Sequence, residues 1–218
     1  MSYFVTGTDT GVGKTYVTRL LLESFRIHGI DAVGYKPVAC GDREDGRILA
    51  AASGGLALDV VNPVHLQTPA APYVAGLFEN QAVNPADLLA GFHRLAAVHA
   101  MVVVEGVGGW EVPLAANYRV ADLAKDLGLP VILVAANRLG AINHILLTLD
   151  AIRAKGLTCA GIFLNQLADE LDTAMISNMG VLAALTAVPL LGHLIHQQDF
   201  LDDEVIGKLG LVSLFLDF

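Results

Sequence analysis

The 218-residue sequence predicts an α/β fold with three layers, a mostly parallel central sheet flanked by helices. Short apolar runs alternate with segments of helical periodicity, the pattern of βαβ units. Apolar residues reach 54% and charged residues only 16%, which suits strands covered on both faces. A glycine-rich loop joins the first apolar run to the first helical segment. The length is that of one domain with room for a layered core, so residues 1–218 are expected to form a single unit.

The elements follow in order. Tyr3–Val5 reads as the first strand, and Tyr16–His28 as a helix closed by Gly29. Ala32–Tyr35 is a second strand, ending in Lys36-Pro37. Between Cys40 and Pro85 the pattern is irregular, and loops with one short helix over the sheet edge are expected. Ala100–Val104 is a strand ending in Glu105 and a run of small residues. Pro130–Val134 ends in Ala135-Ala136-Asn137, and Ala160–Leu164 ends in Asn165. Leu190–Gly192 and Leu211–Leu216 complete the series. In parallel sheets ligands collect at the carboxyl ends of the strands, so the polar residues placed there are the candidates for chemistry.

Several classes are disfavoured. The formal net charge of −9 and the lack of a basic stripe argue against nucleic acid as a partner. The most apolar stretch, Val181–Ile195, is broken by Thr186, Pro189 and Gly192 and falls short of the roughly 18 apolar residues of a membrane span. No basic segment precedes the first strand, so a cytoplasmic protein without a signal peptide is expected. Cys40 and Cys159 make neither a disulfide nor a metal pattern. The seven histidines are scattered. Only His193 and His196 fall close together, and without an acidic or thiol partner they read as loop residues.

The loop TGTDTGVGKT carries the strongest signal. Gly13-Lys14-Thr15 sits after a strand and before a helix, where backbone N–H groups and the positive helix end cradle phosphate. Asp9, Thr10, Gly11, Val12 and Gly13 would line the cradle. Lys14 would reach the β- and γ-phosphates, and the Thr15 hydroxyl would ligate Mg²⁺. The usual G-x-x-x-x-G-K-[ST] spacing is not met: Thr8 stands where a glycine is expected, and Gly7 lies one residue further back. Glu105 supplies a strand-end acid for a metal, or simply a carboxylate for loop N–H groups. Lys36 is either a second cation beside Lys14 or a surface lysine with a packed stem. Asp45, in an acid-rich loop, reads on its own as a solvated side chain.

Taken together these residues resemble the dethiobiotin synthetase family. The resemblance runs through TGTDTGVGKT, GYKPV around Lys36, TPAAP (Thr68–Pro72), VVEGVGGW (Val103–Trp110), PVILV, LGAINH (Leu139–His144), the strand ending in Asn165 and PLLG near Pro189. The five residues between Gly7 and Gly13 are a feature of that family. The resemblance implies a P-loop NTPase fold, ATP and Mg²⁺ as cofactors, and 7,8-diaminopelargonate and CO₂ as substrates closed into a cyclic urea. It implies Thr15, Asp45 and Glu105 as metal ligands, and Thr10, Lys14 and Lys36 on the carbamate and phosphates. Cys40 and Gly108 would meet the diamine. Asn165 would read adenine through an amide able to donate and accept. Leu139, Gly140 and Asn143 would cap the substrate carboxylate from the neighbouring subunit of a homodimer, although Asn143 also suits a helix N-cap.

This chain departs from the family pattern at Cys40, commonly serine, at Gly11, glutamate in some members, and at Gln166, frequently aspartate. The last relaxes the expected choice of nucleotide. The competing reading is a partner-switching ATPase of the partitioning or site-selecting type. Such proteins carry a second lysine where this chain has Asp9. An amide-forming ligase would need a glutaminase domain, and a plain nucleotide-binding module would leave Lys36 and Glu105 without purpose.

Overall fold

The computed structural model describes residues 1–209. Its elements in chain order are β1 (Tyr3–Gly7), α1 (Lys14–Ile27), β2 (Ala32–Tyr35), β3 (Val38–Cys40), α2 (Glu44–Ala52), α3 (Leu58–Val61), β4 (Val64–Leu66), α4 (Pro72–Glu79) and α5 (Pro85–Ala96). There follow β5 (Met101–Gly109), β6 (Pro113–Ala115), β7 (Tyr118–Arg119), α6 (Val120–Leu127), β8 (Val131–Ala136), α7 (Ala141–Ala154), β9 (Cys159–Asn165), α8 (Thr173–Leu185), β10 (Leu190–Leu194) and α9 (Asp203–Lys208).

Six strands form an all-parallel sheet in the order β10-β9-β8-β1-β5-β2. Successive side chains of a strand point to opposite faces. Tyr3 and Val5 therefore join α1, α2 and α9 in one core, whereas Phe4 joins α5, α6 and α7 in another. Both faces are covered, which is why the strands read as unbroken apolar runs. The sheet grows outward in both directions from β1. Its carboxyl end is thus the topological switch point, where a ligand crevice opens.

The structure corrects three expectations. Cys40–Pro85 contains three helices and the strand β4, which pairs in parallel with β3 just before the region as a separate ribbon. The strand expected at Ala100–Val104 spans Met101–Gly109 and does not stop before Glu105, with a register irregularity between Val5 and Gly7 on its neighbour. Backbone pairing needs no side chain, so the glycines carry the ladder past the apolar run. His193 belongs to β10 and its Nε2 lies 3.2 Å from Asn137 Nδ2; it is not a loop residue. The strand expected at Leu211–Leu216 lies outside the described residues. No helix among those described is long and apolar enough to cross a membrane.

Candidate active site

The phosphate loop is shaped by what Gly7 and Gly13 lack. A Cβ on Gly7 would lie 2.7 Å from Val12 Cγ2 and 2.9 Å from the Asp9 carbonyl oxygen, so the longer loop can fold back over the strand end only above a glycine. Gly13 caps α1 in the left-handed region (φ 90°), and a Cβ there would meet Asn165 Nδ2 at 2.1 Å. Lys14 closes the ring by donating to the Asp9 carbonyl at 3.0 Å. The displaced glycine is therefore a structural requirement of this loop.

Lys36 leaves β2 and turns inward. Its backbone is pinned on both sides: its N–H donates to the Val61 carbonyl at 2.8 Å, and Asn62 Nδ2 donates to its carbonyl at 2.7 Å. The ammonium is 2% exposed and contacts Glu105 Oε1 at 2.5 Å and Asp45 Oδ2 at 2.7 Å. This rules out a surface lysine. Glu105 is fully buried and also accepts from Thr15 Oγ1 at 2.7 Å. Asp45, in the first turn of α2, interacts with Thr15 as well. Four residues from four parts of the chain thus share one charged centre.

Electrostatics follow from this packing. Burial presses the Lys36 ammonium toward its neutral form, but Glu105 and Asp45 outweigh it and hold its pKa above the ordinary lysine value. Desolvation acts against the Asp45 carboxylate, and Lys36 overcomes it and keeps the carboxyl below its usual range. At Lys14 the nearby carboxylates of Glu105, Asp45 and Asp9 do not suffice. Burial, and then repulsion from Lys36, bring it down to about 8. Phosphate bound at Lys14 would restore its charge, so nucleotide binding there would take up a proton wherever the free side chain is neutral. We expect no uptake at Lys14 near pH 6.5 and about one proton near pH 9, with affinity falling about tenfold per pH unit above 8. Calorimetry in buffers of different ionisation heat measures this; absence of uptake at pH 9 would refute a neutral Lys14.

Thr10, Gly11, Gly13, Lys14, Thr15, Lys36, Cys40, Asp45 and Gly108 line one cavity of about 320 Å³, together with Ala39, Asp42 and Val107. Asp9 sits at the exposed turn of the loop, where its Oδ1 accepts from the Thr10 N–H at 2.7 Å. Val12 is buried beneath it and accepts on its carbonyl from Asn165 Nδ2 at 3.0 Å. The Asn165 donor is thus engaged by the loop, and the buried Oδ1 is left without a partner. Burial raises the Cys40 thiol to about 11, so it acts as a small neutral wall residue. Leu139, Gly140 and Asn143 are exposed and line none of this cavity. Gly140, not Asn143, caps α7, which removes the N-cap reading of Asn143. Sequence reasoning missed Asn62, whose only signal was a polar residue preceding Pro63.

A phosphate loop at the switch point of a parallel sheet, facing a lysine and two carboxylates, defines a P-loop NTPase. Solved structures agree on the fold. A putative plasmid partition protein from Borrelia burgdorferi bound to AMPPNP superposes with a TM-score of 0.57 at 13% identity, covering 99% of this chain and 97% of that one. The septum site-determining protein MinD from Pyrococcus horikoshii, complexed with Mg-ADP, gives 0.53 at 16% identity over 98% and 86%. A family model described as an AAA domain matches residues 1–200. Sequence relatives are nearer. ATP-dependent dethiobiotin synthetase BioD of Akkermansia muciniphila is 50% identical over 94% of this chain and 97% of its own length. The proteins of that name from Aromatoleum aromaticum and Aeromonas hydrophila are 44% and 37% identical over 89% and 98% of this chain, and 90% and 98% of their own lengths. The chain belongs to the ATP-dependent dethiobiotin synthetase family.

Proposed function

We propose that this enzyme, a single-domain protein, converts 7,8-diaminopelargonate, CO₂ and ATP into dethiobiotin, ADP and phosphate, as a step of biotin biosynthesis. The observation that carries the reading is the convergence of Lys14, Thr15, Lys36 and Asp45 on one cavity, with Glu105 buried behind it and bonded to Lys36 and Thr15. Family membership supplies the substrates.

The chemistry runs in three steps. One amine of the substrate adds to CO₂ and loses a proton, giving a carbamate. A carbamate oxygen attacks the γ-phosphorus and ADP leaves, giving a mixed anhydride. The second amine attacks the carbamoyl carbon and gives up a proton, phosphate leaves with the bonding pair, and the cyclic urea is closed. In the second step an anion approaches an anion, so fixed positive charge is the main demand. Lys14 supplies it at the phosphates and Lys36 at the carbamate, with Thr10 beside them on the loop. No side-chain nucleophile is needed. Asn165 Oδ1, an acceptor without a partner among the described residues, would take the hydrogen bond of an adenine amino group. Because its donor is engaged by Val12 and Gln166 replaces an acid, selection for adenine is relaxed.

Thr15, Asp45 and Glu105 fit Mg²⁺: all their donors are hard oxygens, and Glu105 Oε2 is buried without a partner. The ion, when bound, would neutralise phosphate charge. Gly108 and Cys40 form the diamine wall. Leu139, Gly140 and Asn143 reach the substrate carboxylate of the neighbouring subunit in a homodimer. Such a protein works in the cytoplasm, free of nucleic acid and membrane. Purified enzyme with ATP, Mg²⁺ and bicarbonate should release phosphate only when the diamine is added. Release indifferent to diamine would sink the synthetase reading and favour a partner-switching ATPase.

A further inference from the structure

The loop of residues 67–71, between β4 and α4, lines no part of the cavity, yet it is held firmly by one acid. Glu79, the last residue of α4, turns its carboxylate back onto the loop. Oε2 accepts from the Gln67 N–H at 3.1 Å and Oε1 from the Thr68 N–H at 2.7 Å. The Thr68 backbone, then its side chain, stabilise the anion and draw the carboxyl below its usual range. The helix end that presents Glu79 is itself fixed. Asn80 stops α4 in the left-handed region (φ 50°), and Gln81 N–H donates back to the Gly76 carbonyl at 2.9 Å.

The loop in turn packs beside the cavity wall. A Cβ on Gly41 would lie 3.2 Å from Pro69 Cβ, so the proline packs directly against the Gly41 backbone. Gly41 also donates to the Leu66 carbonyl at 2.9 Å, and His65 Nε2 lies 2.8 Å from the Gly41 carbonyl oxygen. On either side of Gly41 stand Cys40 and Asp42, which do line the cavity.

We infer that Glu79 is a positioning residue for the diamine end of the site. Its two backbone hydrogen bonds fix the loop, Pro69 holds Gly41, and Cys40 and Asp42 are thereby set at the wall. The inference rests on the diamine reading above. Glutamine at position 79 can accept from only one of the two amides and turns an N–H₂ toward the other. Full-length Glu79→Gln should raise the KM for diamine about tenfold, with kcat and the affinity for a fluorescent ATP analogue within about twofold of wild type. Hydrogen exchange at the Gln67 and Thr68 amides should accelerate, and Glu79→Asp, which keeps both acceptors, should recover part of the KM. An unchanged KM despite faster exchange would overturn the inference and leave a loop staple only. So would equal losses in ATP affinity and diamine KM, which mark general loosening. Wild-type protein without diamine-dependent turnover would overturn the functional reading itself, and the inference with it.

Discussion

Lys36→Met is expected to cut diamine-dependent phosphate release by about 10²–10³-fold, because on the proposed mechanism it removes the cation where carbamate and phosphate would meet. The same substitution should also lower stability. Glu105 is fully buried and would keep the Thr15 hydroxyl but lose its cationic partner, and uncompensated buried charge costs about 3–5 kcal/mol. For a chain of this size that is a fall in Tm of roughly 6–20 °C. Asp45 is half exposed and adds little, since water screens it. The two effects separate in a cycle. Lys36→Met combined with Glu105→Gln removes both charges, so the double variant should melt above the lysine variant while staying inactive. Activity within threefold of wild type, or a double variant no more stable than the single, would contradict this account of the centre.

Lys14→Ala and Asn143→Ala should each inactivate the enzyme alone, and mixing them should restore part of the activity. Asn143 lies exposed at the start of α7 and lines no part of its own cavity. If it serves the neighbouring subunit, a heterodimer pairs the intact Lys14 of one chain with the intact Asn143 of the other at one of two sites. Random reassortment then yields roughly a quarter of wild-type activity. No recovery after verified subunit exchange would confine each site to one chain.

Much of this arrangement was legible because the relevant signals are local. Buried parallel strands leave unbroken apolar runs, and a phosphate loop must sit between a strand and a helix. Gly7 looked misplaced only against a shorter loop; its closeness to Val12 and Asp9 shows why no other residue fits. What stayed hidden depends on distant partners. Strands of three residues, β3 and β4, exist because they pair with each other, and nothing within either run announces it. On local pattern alone Asp45 was indistinguishable from a solvated acid; only the family resemblance singled it out, and Lys36 turned inward beside it gives the physical reason. The Glu79 clasp has backbone N–H groups as partners, which every sequence possesses, so no residue pattern could reveal it.

The position of β1 has a consequence for how the chain acquires its activity. Tyr3 is paired with Val103, and Phe4 with both Val104 and Val131. The phosphate loop thus follows a strand whose lateral neighbours, β5 and β8, both lie far along the chain. Contacts so distant in sequence slow the search for the native state. Folding is therefore expected to finish at the sheet centre, with nucleotide affinity appearing only as β8 docks. Any early intermediate would carry the signature loop without its function.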